Sequence, residues 1–192
     1  WFNSTNISPR DRRYSRLIHR FILFSYLNMK WMVFGSHGWI GKQVVDILLK
    51  QNQTIIYPTV RVDNEKETAI EITTHKPDRV LCLVGRTHGG GIPTIDYLEQ
   101  PGKLVDNIRD NLYSPITLAL LCKSLGIHLT YLGTGCIFSY NDSSPPNGYT
   151  EESLPDFFGS SYSIVKGFTD RLMHQFDDTV LNARIRMPIV DH

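Results

Sequence analysis

The sequence has little of what marks disulfide-rich, metal-binding or membrane-spanning proteins. Its three cysteines, Cys82, Cys122 and Cys136, are odd in number and widely spaced, so they form neither a disulfide framework nor a metal-ligand pair. The seven histidines show no HxH or HxxxH spacing, which argues against a zinc site. No apolar run is long enough to cross a bilayer, and no internal repeat is present. These absences favour a single soluble domain with reduced thiols in a cytoplasmic setting, with no membrane partner.

A strong excess of charge of one sign is also missing, since the net charge is +1 at pH 7. Residues 1–28 hold five arginines and one aspartate, about +4 of charge, so the rest of the chain carries about −3. A slightly acidic body argues against nucleic acid as the main partner.

The first 28 residues differ from the rest in composition. They are rich in arginine and poor in acids, as organelle presequences are. The sequence begins with Trp1, whereas Met29 opens an apolar run typical of a first strand. We therefore expect residues 1–28 to be an extension outside the fold and residues 29–192 to form the domain. A short amphipathic targeting or docking helix is the alternative for residues 1–28.

From Met29 onward, short apolar runs alternate with helical patterns. The runs KWMVFG, TIIYPTV, RVLCLVG, IHLTYLG and TVLNARIRMPI predict five strands. The stretches between them predict four helices, one of which runs from Lys103 to Leu125 and should kink or restart at Pro115. This order predicts an α/β fold with a Rossmann-type doubly wound parallel sheet, whose ligands lie at the carboxyl ends of the strands.

A glycine-spaced loop, GSHGWIG, joins the first predicted strand to the first predicted helix. In this context Gly35 permits a tight turn, Gly38 lets a phosphate approach the backbone, and Gly41 lets helix and strand pack closely. The helix N-terminus would favour the charge of a pyrophosphate, although a glycine-rich turn without a ligand is the alternative. The predicted dinucleotide-binding residues of this loop are Gly35, His37, Gly38, Trp39, Ile40 and Gly41.

The end of the second predicted strand, YPTVRVDN, bears on which nucleotide is bound. No acid directly follows Tyr57 to hold ribose hydroxyls, whereas Arg61 could pair with a 2′-phosphate. This favours NADP(H). Asp63 keeps NAD(H) open, and an ordinary exposed charge is the alternative for Arg61.

The stretch YSIVK places Tyr162 and Lys166 four residues apart on a predicted helix, so both side chains share one face. A lysine ammonium beside the phenol would lower the pKa of Tyr162. The tyrosine could then give a proton to a carbonyl oxygen while hydride reaches the carbon. Thr134, at the preceding strand end, would hydrogen-bond the same oxygen, or would only cap a turn.

These motifs together resemble the extended short-chain dehydrogenase/reductases, and within them the dTDP-4-dehydrorhamnose reductase branch. The stretches GSHGWIGK, TGCIF, GYTEES, GSSYSIVKG and RIRMPI are similar to the epimerase/reductase part of plant-type UDP-rhamnose synthases. The resemblance runs from Met29 to about Ile189. It implies an NAD(P)-binding Rossmann domain at residues 29–192 and a C-terminal substrate domain that is mostly missing from this sequence.

The resemblance also implies an activity. A UDP- or dTDP-4-keto-6-deoxyhexose would be epimerised at C3 and C5, and NADPH would reduce its 4-keto group to give the L-rhamnose nucleotide. Thr134, Tyr162 and Lys166 match the family's reduction residues, and Cys136 matches its epimerisation acid/base. A second epimerisation residue is expected after the RIRMPI motif, beyond His192.

Four further residues are predicted to bind the cofactor, namely Gly85, Asn111 and the catalytic pair Tyr162 and Lys166. Asn111 matches a structural asparagine that orders the family's proton relay. Gly85 can approach the cofactor backbone, although the loop LVGRTHGGG departs from the Ala-Ala-Gly-type stretch that the family leads us to expect. Arg86 and His88 could reach the ligand or could be surface residues.

Chemistry supports a role for Cys136 without the family. A free thiol, with a pKa of about 8.5, can act as acid or base near neutral pH. Cys136 lies two residues beyond Thr134, and in an extended segment both side chains would share a face. Cys82 and Cys122 lie in an apolar strand and an amphipathic helix, so we expect them in the core.

Other functions stay open on the sequence alone. The chain could be a simple NAD(P)H-dependent 4-keto reductase in which Cys136 only packs. It could also be a non-catalytic, NADP-binding regulatory subunit, although such a scaffold needs none of the catalytic residues. In related enzymes the helices at 103–125 and 159–177 form a dimer interface, so a homodimer is expected.

Overall fold

A computed structural model describes residues 28–142 and 144–186 of the chain. Its five strands form one parallel sheet in the order β2-β1-β3-β4-β5. The strands are β1 (Lys30–Phe34), β2 (Thr54–Ile56), β3 (Arg79–Cys82), β4 (His128–Thr134) and β5 (Val180–Ile185). The predicted doubly wound parallel sheet is confirmed. The predicted extension at 1–28, apart from Asn28, and the end of the fifth predicted strand lie outside the described residues.

Five α-helices connect the strands of the described chain. They are α1 (Trp39–Lys50), α2 (Glu65–His75), α3 (Leu104–Ile108), α4 (Ser114–Leu125) and α5 (Ser161–Met173), with 3-10 turns at Ile95–Glu99 and His174–Phe176. A π-helical segment, Arg109–Tyr113, joins α3 to α4, so the predicted long helix is interrupted as expected. Pro115 stands in the first turn of α4, where its missing N–H is tolerated. None of the described helices is long and apolar enough to span a membrane.

Local signals fix the helix ends. Asn64 caps α2 as predicted, because its side chain accepts from the Glu67 N–H. Gly126 ends α4 with a φ of 66°, a conformation that glycine adopts without strain. Ser160 caps α5 by accepting from the Ser163 N–H.

The core lies on both faces of the sheet because successive strand residues point to opposite sides. On one face Met32 and Val80 pack with α2 and α4, and on the other Val33 and Leu81 pack with α1. Cys82 and Cys122 are fully buried in the first cluster, so their predicted place in the core is confirmed.

The order in which strands are added to the sheet reverses at β1, since β2 lies on one side of β1 and β3 on the other. Loops diverge at such a switch point, which leaves a crevice at the carboxyl ends of the two central strands. Ligand-binding residues are therefore expected just after Phe34 and just after Cys82.

Candidate active site

The glycine loop after β1 folds tightly at this switch point. Gly35 has a φ of 87°, and a Cβ there would lie 2.8 Å from the backbone of Leu83. A Cβ on Gly41 would collide with the carbonyl oxygen of Gly35. Gly38 is the N-cap of α1, and no described side chain caps this helix start. The first-turn N–H groups are therefore available to an anion such as a phosphate.

A cavity of about 390 Å³ opens beside the loop, a volume in the range of ligand pockets. Its lining includes several residues predicted from sequence, namely Gly35, His37, Gly38, Arg61, Asp63, Gly85, Arg86 and His88. The lining does not include the other predicted cofactor-binding residues, which are Trp39, Ile40, Gly41, Asn111, Tyr162 and Lys166. Trp39 is 54% exposed, because it stands at the first turn of α1 with its side chain toward solvent. The loop therefore offers its glycines and backbone to the cavity.

Arg61 is held by two carboxylates at the cavity wall. Its Nε lies 2.9 Å from Asp63 Oδ1, and its Nη2 lies 3.2 Å from Asp110 Oδ1. Arg86 and Arg109 also donate through Nε to Asp110. Burial raises the pKa of Asp110, but hydrogen bonds from Arg109 and Arg86 outweigh burial and hold that pKa below its ordinary value. Asp110 is thus an anion around which guanidinium groups gather.

Asn111 holds the loop that follows β3. Its Oδ1 accepts from the Arg86 N–H at 2.9 Å, and its Nδ2 donates to the Arg86 carbonyl at 2.9 Å. The same Nδ2 donates to Asn107 Oδ1, while Thr169 Oγ1 donates to the Asn111 carbonyl. A Cβ on Gly85 would stand 3.4 Å from Asn111 Oδ1, so glycine suits this close approach. Asn111 does not itself line the cavity, but it holds Gly85 and Arg86, which do.

Thr134, Cys136 and Tyr162 meet at the end of β4. Thr134 and Tyr162 are each 8% exposed, and Cys136 packs against the cluster that contains Tyr162. The extended conformation predicted for Cys136 is wrong, because β4 ends at Thr134 and a turn follows. The Cys136 N–H donates to Thr134 Oγ1 at 3.2 Å and so fixes this turn. The thiol thus approaches Tyr162 through a turn, not along a strand.

Two side chains that the sequence did not single out hold this arrangement. Ser163 Oγ donates to the Cys136 carbonyl at 2.8 Å and ties the turn to α5. Glu99 accepts from the backbone N–H groups of Ser161 and Tyr162, at 3.1 and 3.4 Å. A carboxylate at a helix N-terminus is favoured by the helix dipole. The Glu99 contact joins segments more than sixty residues apart, so no local sequence pattern predicts it.

Lys166 faces a different phenol from the one predicted. Its Nζ donates to the Tyr131 hydroxyl and, at 3.5 Å, to the Leu132 carbonyl, and no hydrogen bond joins it to Tyr162 within the described residues. Burial lowers the pKa of Lys166 to about 8. Burial raises the pKa of Tyr162 to about 12, although a hydrogen bond with Thr134 opposes this rise. The predicted lowering of the Tyr162 pKa is wrong, because burial raises it and the Lys166 ammonium is hydrogen-bonded to Tyr131 instead.

Residues 28–142 and 144–186 contain no group of three or more histidine, cysteine or acidic side chains that could hold a metal ion. The side chains that meet at the end of β4 are a hydroxyl, a thiol and a phenol, and the Lys166 ammonium stands on the same helix as the phenol.

The fold and the site together define a Rossmann-type domain with a Thr/Tyr/Lys set at the end of its fourth strand. The chain belongs to the NAD dependent epimerase/dehydratase family, whose sequence model matches residues 31–189. This match confirms the family resemblance drawn from the motifs.

Several relatives are informative. The chain is 58% identical over 163 residues to protein L780 of Acanthamoeba polyphaga mimivirus, and the match covers 84% of this chain and 56% of that protein. The crystal structure of L780, described as a UDP-rhamnose synthase, superimposes with a TM-score of 0.81 at 56% identity and covers 84% of this chain and 57% of that one. The chain thus spans about half the length of this viral relative.

More distant proteins are similar to the chain as well. The trifunctional protein RHM2 of Arabidopsis thaliana, a UDP-glucose 4,6-dehydratase, 3,5-epimerase and UDP-4-keto-L-rhamnose reductase, is 33% identical over 165 residues, covering 84% of this chain and 24% of that protein. A dTDP-4-dehydrorhamnose reductase from Bacillus anthracis, solved with NADP, superimposes with a TM-score of 0.69 at 17% identity, over 83% of this chain and 54% of that one. The bacterial likeness supports the fold alone.

Proposed function

We propose that this chain carries the cofactor-binding and catalytic half of an NADPH-dependent nucleotide-sugar 3,5-epimerase/4-keto reductase. The observation that carries the proposal is the meeting of Thr134, Cys136 and Tyr162 at the end of β4, the strand paired with β3, whose following loop lines the cavity. A scaffold that only binds a nucleotide needs no such cluster. The 58% identity to L780 points to the same chemistry.

The cavity fits a dinucleotide. The packing at Gly35 leaves no room for a side chain, so a pyrophosphate could approach the backbone there, at the start of α1. Arg61 and Arg86 supply guanidinium groups at the rim, which favours the 2′-phosphate of NADPH over the bare ribose of NADH. When bound, NADPH supplies the hydride from its nicotinamide C4.

In the reduction, Tyr162 acts as the proton donor. With its pKa raised to about 12, the phenol stays protonated at neutral pH, as an acid must. As the C4 carbon of the sugar is reduced, Tyr162 would give its phenolic proton to the C4 oxygen, so that the ketone becomes an alcohol. Thr134 Oγ holds the same oxygen in place. The ammonium of Lys166 on the same helix favours the phenolate that remains.

In the epimerisation, Cys136 moves a proton at a carbon next to the ketone. Removing a proton from C3 or C5 leaves an enolate whose charge lies on the C4 oxygen, where Thr134 and Tyr162 can donate hydrogen bonds. Returning a proton to the opposite face inverts the centre. The packing of Cys136 against the cluster that contains Tyr162 supports its part in one of these transfers.

We propose a UDP sugar as the substrate in preference to a dTDP sugar. The support is the description of L780 as a UDP-rhamnose synthase, together with 56% identity in the superposition. The description of RHM2 also names UDP sugars.

A homodimer is proposed as the assembly. Apolar side chains on α3 and α5 are exposed, among them Leu104, Val105, Ile164, Phe168 and Leu172. The last three are spaced by four residues and so share one face of α5. A second copy of the chain could cover this face and the neighbouring apolar positions of α3, and light scattering of the purified protein would show the doubled mass.

Deuterium exchange separates this proposal from its alternatives. We expect the complete natural protein, incubated with UDP-4-keto-6-deoxyglucose in D₂O, to take up deuterium at C3 and C5, as read by NMR. Cys136→Ser should slow this uptake by roughly 100-fold, since a hydroxyl is a poor acid/base near neutral pH. Reduction of an already epimerised 4-keto sugar should persist in the variant and serves as the internal control.

Three results would count against the proposal. Uptake that persists in Cys136→Ser would show that Cys136 only packs and that another residue moves the proton. An unmodified protein that reduces the 4-keto sugar without taking up deuterium at C3 and C5 would be a simple 4-keto reductase. An unmodified protein that neither exchanges nor reduces, yet binds NADPH, would support the regulatory subunit.

A further inference from the structure

A buried pair, Lys166 and Tyr131, lies beneath the candidate active site. Lys166 is 4% exposed and Tyr131 is 1% exposed. The Lys166 ammonium donates to the Tyr131 hydroxyl and lies 4.6 Å from the centre of its ring. Tyr131 belongs to β4 and is outside the Thr/Tyr/Lys set from which the reduction was derived.

A phenol suits a buried lysine in either protonation state. It accepts a hydrogen bond from the ammonium, and it donates its O–H to the neutral amine. Burial holds the pKa of Tyr131 well above its ordinary value, so the phenol itself stays neutral. Tyr131 therefore leaves neither form of Lys166 as an unpaired buried group, which would be costly.

Three other ionisable groups act on Lys166. They are Cys82 on β3, Cys136 in the turn after β4, and Asp170 one turn further along α5. Burial raises the pKa of Cys82 to about 11, so this side chain is a neutral thiol near neutral pH.

Asp170 is already committed to other donors. Its Oδ1 accepts from Asn182 at 2.7 Å and from Arg184 at 2.8 Å, and its Oδ2 accepts from Arg184 at 2.8 Å. Among the described residues, the side-chain hydrogen bond that fixes the direction of the Lys166 ammonium is therefore the one to Tyr131.

We infer that Tyr131 is a positioning residue of the site: its hydroxyl anchors the ammonium of Lys166 and leaves one N–H directed toward Tyr162 and the cofactor. An ammonium has three N–H donors. One is taken by Tyr131 and one by the Leu132 carbonyl, so one is left. The inference rests on the proposed function for the roles of Lys166 and Tyr162, but the contact itself can be tested without turnover.

Tyr131→Phe removes only the anchoring oxygen. A hydrogen bond from a charged donor is stronger than one between neutral groups, so its loss disfavours the ammonium more than the amine. We expect the side chain of Lys166 to titrate about one pH unit lower in the variant. Carbon-13 NMR of labelled lysine Cε atoms measures this, with the Lys166 signal assigned by its absence in Lys166→Met.

A matched control is Tyr149→Phe. The Tyr149 hydroxyl donates to the Ser139 carbonyl and to Asp156, in the loop between β4 and α5. This control should leave the Lys166 titration unchanged. Should Tyr131→Phe fail to fold by circular dichroism, 3-fluorotyrosine at position 131 keeps the shape and weakens the acceptor, and a smaller shift in the same direction is expected.

Two outcomes would overturn the inference. An unchanged Lys166 titration in both position-131 variants would show that the hydroxyl does not anchor the ammonium. A shifted titration with no matching shift in the alkaline limb of NADPH-dependent reduction would show that the anchor does not position the site. Absence of turnover in the unmodified protein would refute the proposed function instead, while the NMR result would still decide whether the anchor exists.

Discussion

Two charged regions flank the same edge of the sheet and are built in opposite ways. At the cofactor cavity, Arg61 shares Asp110 with neighbouring arginines, and its side chain is 63% exposed. At the proposed catalytic end, around Thr134, Tyr162 and Lys166, the lysine is buried against a phenol. Binding an anion needs a permanent charge, whereas proton transfer needs a charge that can change near neutral pH. Burial gives Lys166 a charge that can change near neutral pH, whereas Arg61 stays exposed and permanently charged.

The contrast extends to pH. Asp110 has a lowered pKa, so its ion pairs stabilise the fold above the ordinary pKa of an aspartate and lose this effect as pH falls through the lowered value. Lys166 also has a lowered pKa, but a lysine loses its charge as the pH rises, so its contribution to stability changes on the alkaline side. The cavity should therefore respond to acid and the catalytic end to alkali.

The largest effect is expected from Tyr162→Phe, which removes the acid from the catalytic end and leaves the cavity intact. Reduction of the 4-keto sugar should fall by roughly 1,000-fold, because a positioned proton donor is lost. NADPH binding, measured by fluorescence, should change little. A variant that keeps most of its reduction rate would contradict the role of Tyr162, and one that loses NADPH binding would show that the two regions are not separable.

A smaller effect is expected in the pH dependence of stability. The folded pKa of Lys166, about 8, lies below its unfolded value of 10.5, so the unfolded chain binds more protons between these pH values. The unfolding free energy of the unmodified protein, relative to Lys166→Met, should therefore rise by roughly 3 kcal/mol from pH 8 to 10.5. Urea denaturation at several pH values measures this difference. A flat difference would mean that Lys166 is effectively solvated.

The smallest effect is expected from Arg61→Ala at the cavity. The affinity for NADPH should fall by roughly tenfold, because a charged hydrogen bond to the 2′-phosphate is lost. The affinity for NADH should hardly change. Arg79→Ala is the matched control, since Arg79 stands at the start of β3 and donates to the Asp78 carbonyl. Equal losses for both cofactors would remove Arg61 from phosphate recognition.

Much of the fold could be predicted from periodicity and punctuation. Five apolar runs became five strands, and Asn64 and Gly126 mark helix ends as expected. Strand lengths were less predictable. β2 ends at Ile56 although the apolar run continues, and Pro58, which has no N–H to give to a sheet, stands two residues later.

At the site, residue types were predictable but their pairings were not. Gly35, Thr134 and Tyr162 carry local or motif signals, and the structure brings the last two together with Cys136. The partners Asp110 and Tyr131 carry none, because each meets its arginine or lysine only after distant segments pack. The predicted lowering of the Tyr162 pKa was wrong for the same reason, since the burial that raises this pKa depends on the whole fold.

Hydride transfer to the sugar is tested most directly with NADPH that carries deuterium at nicotinamide C4. Incubated in H₂O with the complete natural protein and UDP-4-keto-6-deoxyglucose, the label should move to C4 of the sugar, and the product should have the inverted centres at C3 and C5. NMR of the product reads both. A product without the label at C4, or no consumption of NADPH by a folded protein, would contradict the proposed reductase.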